Sequence, residues 1–206
     1  MLVDRSVRDL IAAFASADPT PGGGSASALA SAVGASLLQM VASLPKTRSG
    51  SDQERAALAA TAVELAELRR QLVDAIDADT AAYDQVVAAY RLPTASPDEQ
   101  QARKAAIQRA LRAATDIPLG VMRLSALALQ QAEAVAACEH GAAASDAGVA
   151  VALLRAGLHG AAFNVDINLG GLSDATYVER VRGDRARLAT GAALSAERAE
   201  SLLRGG

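Results

Sequence analysis

Apolar residues recur every three or four positions along most of this chain, and few windows show the strict alternation of a half-buried β-strand. This spacing predicts an all-α fold, with Pro- and Gly-containing turns between the helices. The length suits one domain, so we expect a single helical domain over residues 1–206. The predicted helices cover residues 5–17, 22–44, 52–91, 97–140, 146–169, 174–188 and 195–204, with a kink expected near Pro118.

The helix predicted from Asp52 to Arg91 carries one apolar stripe. Side chains within about 60° of one line on this helix are Leu58, Leu65, Leu68, Leu72, Ile76, Tyr83, Val86 and Tyr90. A helix of about 40 residues is roughly 60 Å long, which exceeds what shorter helices of the same chain readily cover. We therefore expect a multi-helix bundle with two long antiparallel helices that forms a homodimer through them. The alternative is that helix 97–140 folds back and covers the stripe within one chain.

Asp79 lies near the centre of this stripe, whereas neighbouring aspartates on the same helix point away from it. A carboxylate in an apolar seam is costly unless it is paired or protonated, and burial raises its pKa. Asp79 is therefore a candidate for a catalytic or ligand-binding role. The structural alternative is a buried carboxylate that pairs with an arginine or caps another helix.

The helix predicted over 146–169 has a second line of aligned residues. Asp146 stands at one end, Asn164 and Asn168 lie one turn apart at the other, and mostly small residues lie between them. An asparagine both donates and accepts hydrogen bonds, which suits a flat heterocycle with amide-like edges. These three residues are candidate substrate contacts. Alternatively, Asp146 with Ser145 caps the helix and the asparagines bridge helices.

The stretch "PTPGGGSASALASAVGASLLQMVASLPK" carries no charge between Asp18 and Lys46. It is long enough to span a membrane, but glycine and serine dilute it heavily and no other segment resembles a span. It also lacks the ending of a P-loop and the preceding strand of a dinucleotide fingerprint. We interpret it as a tightly packed helix capped by Ser25. The helix-start N–H groups of Gly22, Gly23, Gly24 and Ser25 are candidate substrate contacts, and Gly23→Ala is expected to reduce activity more than stability.

Composition narrows the functional class. A net charge of −3 with mixed signs argues against nucleic-acid binding. A single cysteine, Cys138, fits a reducing compartment, and the charged N-terminus does not read as a signal peptide, so we expect a cytoplasmic protein without a membrane partner. His140 and His159 show no metal-ligand spacing with each other or with Cys138, so no metal is expected.

Four segments together resemble the cyclodeaminase/cyclohydrolase family, which includes the C-terminal domain of formiminotransferase-cyclodeaminase and methenyltetrahydrofolate cyclohydrolases. They are "PTPGGGSASALASAVGASLLQMVA", "IDADTAAYDQVVAAYRLP", "SDAGVA" and "NVDINL". The resemblance implies an all-helical dimer that acts on one-carbon folates, with no cofactor beyond the tetrahydrofolate substrate. Of the family's lysine cluster after the second helix only Lys46 and Arg48 remain, and Lys46 is a candidate substrate contact.

The resemblance implies that Asp79 serves as acid/base in the hydrolysis of 5,10-methenyltetrahydrofolate to 10-formyltetrahydrofolate. Formiminotetrahydrofolate cyclodeaminase, which releases ammonia, is the alternative, because both reactions need an electrophilic carbon and one proton-transfer group. No formiminotransferase domain accompanies these residues, which favours the cyclohydrolase. A non-catalytic folate binder or a helical assembly protein is the alternative outside enzymes.

Overall fold

The computed structural model describes residues 1–44, 50–138 and 143–205. Within these ranges the chain forms helices and no β-strand, which confirms the all-α prediction. After a short 3₁₀ helix at Leu2–Asp4, the α-helices are α1 (Val7–Phe14), α2 (Gly23–Ser43), α3 (Asp52–Tyr90), α4 (Pro97–Ala136), α5 (Ala144–Leu169) and α6 (Ala175–Gly205).

The two long helices begin where local sequence signals place them. At the start of α3, the Ser51 hydroxyl accepts from the Glu54 backbone N–H and the Glu54 carboxylate accepts from the Ser51 backbone N–H. Ser96 and Glu99 form the same capping box at the start of α4, where Pro97 occupies the first turn. These reciprocal bonds satisfy N–H groups that have no partner within the helix, so both helices start at the positions predicted from sequence.

α3 and α4 form an antiparallel hairpin within one chain. Arg103 donates to the Tyr90 carbonyl near the connecting turn, and Gln131 donates to the Glu64 carboxylate towards the other end. Much of the α3 stripe is buried, as shown by Leu58, Leu65, Leu72 and Ile76. The stripe's last part is not covered, since Tyr83 is 41% exposed and Tyr90 is 50% exposed. α2 and α4 both pack against α3, so packing within one chain buries only part of the stripe, and dimerisation stays a prediction.

The C-terminal region corrects one predicted boundary. Two helices were expected over 174–188 and 195–204, but α6 runs without interruption from Ala175 to Gly205. Gly191 lowers helix propensity by only about 1 kcal/mol. Ala192, Ser195 and Ala196, which surround the predicted break and second start, are all buried. A continuous helix buries this face, and that gain outweighs the local breaking signal.

α2 lies at the centre of the bundle between α3 and α5, and its small residues permit close approach. A Cβ atom added at Gly157 of α5 would lie 2.6 Å from the Ser27 carbonyl oxygen and closer still to Ser31 Oγ. The Ser31 hydroxyl in turn pairs with the Ser125 hydroxyl of α4 at 2.7 Å. The uncharged stretch is thus the core helix of the bundle, as its packing interpretation predicted.

Two helices, α2 and α5, are long and apolar enough to cross a membrane by length and composition. The expectation that no segment besides the uncharged stretch resembles a span is therefore wrong for α5. In the folded chain, 56% of the apolar window of α2 and 44% of that of α5 are buried, and the two helices pack against each other. Core helices of water-soluble proteins meet the same criterion, so this test alone assigns neither helix to a membrane.

Candidate active site

The Asp79 carboxylate of α3 lies against the first turn of α2. A Cβ atom added at Gly24 would lie 2.5 Å from Asp79 Cγ and 2.7 Å from Oδ2, so only a glycine leaves room for this carboxylate. The Ser25 hydroxyl donates to Asp79 Oδ2 at 3.0 Å. The α2 cap position is occupied by Gly22, which has no side chain to offer. Asp79 therefore supplies negative charge at the positive end of a helix that lacks its own cap.

Opposing effects act on the pKa of Asp79. Burial raises it, and hydrogen bonds from the hydroxyl and the backbone N–H of Ser25 lower it, with a net pKa above the ordinary aspartate value. Among the described residues no lysine or arginine forms an ion pair with Asp79. The arginine-pair alternative therefore finds no support, whereas the helix-capping alternative does. Because Asp79 stays partly exposed, the same carboxyl group can also meet a ligand or a water molecule.

Ser25 occupies a different position from the one expected. α2 begins at Gly23, so Ser25 is the third helical residue and not the cap. Its side chain is fully buried, and its hydroxyl lies 2.9 Å from the Ile76 carbonyl and 3.2 Å from Thr80 Oγ1. Sequence reasoning missed Thr80. No local signal could have found it, because it meets Ser25 from a position 55 residues further along the chain.

Asn164 of α5 reaches the same end of α2. Its Nδ2 atom would lie 3.5 Å from a Cβ added at Gly23, and it donates to the Gly160 carbonyl at 2.9 Å. α5 thus places a carboxamide beside the glycines, while α3 places a carboxylate against the neighbouring residue. Asp79, Gly23, Gly24 and Asn164 therefore converge at one site from three helices.

Asn168, one turn further along α5, is engaged elsewhere. Its Nδ2 donates to the Ala114 carbonyl of α4 at 2.8 Å. Ala114 precedes Pro118 by four residues, and proline has no N–H to donate to that carbonyl. The asparagine supplies the missing hydrogen bond, and α4 continues through Pro118 as one helix from Pro97 to Ala136. This is the bridging role that the sequence left open for the asparagines.

Asp146 lies at the opposite end of α5 from Asn164. Eighteen residues separate them, which corresponds to about 27 Å along the helix axis. α5 begins at Ala144 with Ala143 at the cap position and no side-chain cap bond, so the proposal that Asp146 and Ser145 cap this helix is wrong. Within one chain, Asp146 therefore lies far from Asp79. Lys46 lies outside the described residues.

A groove of about 360 Å³ lies between α3 and α4, lined among others by Gln85, Leu92 and Arg109, and it does not include Asp79. No group of three or more histidine, cysteine, aspartate or glutamate side chains in the described ranges is arranged to hold a metal ion.

Comparison with known proteins gives consistent matches over most of the chain. The family model for formiminotransferase-cyclodeaminase matches residues 6–187. A methenyltetrahydrofolate cyclohydrolase from Methylorubrum extorquens is 39% identical over 179 residues, which is 87% of this chain and 86% of that protein. The rat formimidoyltransferase-cyclodeaminase is 31% identical over 181 residues, which is 88% of this chain but only 34% of the rat protein.

A solved structure shares the fold. The formiminotetrahydrofolate cyclodeaminase from Thermotoga maritima superposes with a TM-score of 0.88 at 25% sequence identity. The superposition covers 100% of this chain and 98% of that one. The similarity therefore extends over the whole bundle.

Proposed function

Because the chain belongs to the formiminotransferase-cyclodeaminase family, we propose that it is a one-carbon folate enzyme that hydrolyses 5,10-methenyltetrahydrofolate to 10-formyltetrahydrofolate. The observation that carries this proposal is the Asp79 carboxyl group, held partly exposed at the α2 terminus with a raised pKa. The relative at 39% identity, which matches this chain over nearly its full length, favours the hydrolase over the ammonia-releasing alternative.

The chemistry needs one group that removes a proton and then returns it. The substrate carries a cationic carbon between N5 and N10. Ionised Asp79 attracts this cation, accepts a proton from the water that attacks the carbon, and then delivers a proton to N5 as the carbon–N5 bond breaks. The carbon keeps its bond to N10 and becomes the formyl group, and one proton is released to solvent overall. No cofactor beyond the folate takes part.

A raised pKa suits Asp79 to both steps. A carboxyl group that holds its proton more tightly than an ordinary aspartate is a stronger base towards water and remains able to protonate N5. The amide of Asn164 and the N–H groups near Gly23 offer hydrogen bonds to the polar edge of a bound pterin. Tyr83, one turn after Asp79 and 41% exposed, adds an aromatic surface beside the carboxylate.

Asp79→Asn is the direct test, because asparagine keeps the shape of the side chain and an oxygen that accepts from Ser25. Turnover of 5,10-methenyltetrahydrofolate, followed by loss of the methenyl absorbance, should fall by about 10²–10⁴-fold. Asp84→Asn is the matched control, since Asp84 is an exposed aspartate on the same helix. Near wild-type turnover in the Asp79 variant, with unchanged folding, would rule out this residue as the acid/base.

The same preparations decide between the candidate activities. Release of ammonia from 5-formiminotetrahydrofolate, without hydrolysis of the methenyl compound, would identify a cyclodeaminase. In that reaction N10 attacks the formimino carbon, and Asp79 would protonate the departing nitrogen. Folate binding with neither turnover would identify a non-catalytic binder.

We also propose that the active form is a homodimer. The supporting observation is the uncovered end of the α3 stripe, where Tyr83, one turn from Asp79, and Tyr90, further along, remain exposed. A second copy related by two-fold symmetry would cover both rings and produce two equivalent sites. Light scattering should give twice the chain mass of 20.9 kDa. A stable, active monomer would refute the dimer and confine the site to one bundle.

A further inference from the structure

The buried Ser25 hydroxyl has more oxygen neighbours than its single hydrogen can serve. Ile76 O lies at 2.9 Å, Asp79 Oδ2 at 3.0 Å and Thr80 Oγ1 at 3.2 Å, and all three belong to α3. The Ile76 carbonyl can only accept, the Thr80 hydroxyl can donate or accept, and the Asp79 carboxyl group does one or the other according to its protonation. The direction of these hydrogen bonds therefore depends on whether Asp79 carries its proton.

Each protonation state of Asp79 has one fully satisfied arrangement. When Asp79 is ionised, Ser25 donates to Oδ2 and can accept from the Thr80 hydroxyl. When Asp79 is protonated on Oδ2, that hydroxyl donates to Ser25 Oγ, and Ser25 turns its own hydrogen to the Ile76 carbonyl. Neither arrangement leaves the buried Ser25 hydroxyl unsatisfied, and the change between them requires only rotation of hydroxyl hydrogens.

We propose that Ser25 is a positioning residue whose hydroxyl reverses its hydrogen bond with Asp79 each time Asp79 gains or loses a proton. The inference rests on the proposed acid/base role, in which one carboxyl group must work in both states during a single turnover. A partner that adapts to both states keeps the carboxyl group in place while the proton moves. Ser25 then acts through Asp79 and has no need to touch the substrate.

The ionisable side chains on the helices around Asp79 are consistent with an Asp79 pKa that is set mainly by its burial and by Ser25. α2 carries no ionisable side chain between Gly23 and Ser43. Asp77 of α3 accepts from the backbone N–H groups that begin the N-terminal 3₁₀ helix, and Asp116 of α4 accepts from the Tyr177 hydroxyl of α6. At this end of α5, Asn164 is neutral, and the exposed Asp166 forms an ion pair with Arg185 of α6.

Carbonyl-carbon NMR of the wild-type protein tests the reversal without relying on activity. The Asp79 carboxyl resonance gives its titration midpoint, and the Ile76 carbonyl should shift with the same midpoint as it gains a hydrogen bond from Ser25. Ser25→Ala should abolish the Ile76 response. It should also raise the Asp79 pKa, because the charge-assisted hydrogen bond that the ionised form loses is stronger than the neutral one that the protonated form loses. Thr80→Val, the matched variant that leaves the Ser25 hydroxyl, should keep the Ile76 response.

An Ile76 resonance that stays flat through the Asp79 titration of the wild type would overturn the inference, even if Ser25→Ala failed to fold. An unchanged Asp79 pKa in folded Ser25→Ala would also overturn it. If the NMR shifts occur but the acidic limb of the turnover profile does not follow them, the reversal stands and the proposed acid/base role fails. If the acidic limb of the turnover profile moves with the Asp79 pKa in Ser25→Ala, the hydrogen-bond reversal and the acid/base role are both supported.

Discussion

Replacing Gly24 by alanine perturbs the position of one carboxyl group with little other expected change. The new Cβ would lie 2.5 Å from Asp79 Cγ, whereas ordinary van der Waals contact begins at 3.4 Å. The Asp79 side chain therefore has to retreat by about 1 Å. The backbone needs no adjustment, because Gly24 is a residue of α2 and alanine is a better helix former than glycine.

The magnitude follows from that displacement. Misplacing a reacting group by about 1 Å costs on the order of 100-fold in rate. A factor of this size corresponds to about 2.7 kcal/mol of transition-state stabilisation. The free energy of unfolding should change by less than about 1 kcal/mol, because improved helix propensity offsets part of the strain.

Gly23→Ala is the matched control. Its Cβ would lie 3.5 Å from Asn164 Nδ2, an ordinary contact distance, and alanine keeps the backbone N–H that the site offers, so turnover should stay within about threefold of wild type. Initial rates of methenyl hydrolysis and urea midpoints would be measured for both variants. This result would correct the expectation from sequence that Gly23 is the sensitive glycine. If Gly24→Ala keeps near wild-type turnover, or if both variants lose activity equally, the carboxylate-clearance argument is refuted.

Three further predictions concern stability. In α5, Gly157→Ala should lower the free energy of unfolding by about 1–3 kcal/mol, because its Cβ would meet an α2 carbonyl oxygen at 2.6 Å. Gly148→Ala, where nothing lies within 4 Å, should instead raise it by about 0.5–1 kcal/mol, and urea melts in which both variants behave alike would contradict this. Asn168→Ala should cost about 1–3 kcal/mol by removing the donor to the Ala114 carbonyl, with KM nearly unchanged; a raised KM with intact stability would support the substrate-binding role predicted from sequence. Asp79 has a raised pKa in the folded protein, so its stabilising contribution is complete below the unfolded pKa and is lost as pH rises through the folded pKa. Asp79→Asn should therefore gain stability relative to wild type as pH rises from the unfolded to the folded pKa. Urea midpoints measured from about pH 4 upward check this, and a difference independent of pH would show that the pKa is not raised.

The sequence by itself determined the features that depend on neighbours along the chain. The period of the apolar residues and the turns that flank them located both long helices, since these signals act within a few residues. The capping boxes that the structure shows at Ser51 and Ser96 are equally local. The same period singled out Asp79, because a carboxylate on an apolar line is visible without knowing what it faces. The family resemblance was likewise readable from sequence, since its four segments occur in the expected order over most of the chain.

Only the tertiary structure decided which residues meet. Gly24, and not Gly23, faces Asp79 because of how α2 and α3 pack, and that depends on contacts between residues more than 50 positions apart. The role of Ser25 beside Thr80, the bond from Asn168 to the carbonyl freed by Pro118, and the continuity of α6 through Gly191 have the same origin. Clearances of about 1 Å between packed helices decide such contacts. Helical periodicity does not encode them, because it specifies the face of a helix and not the partner against which that face packs.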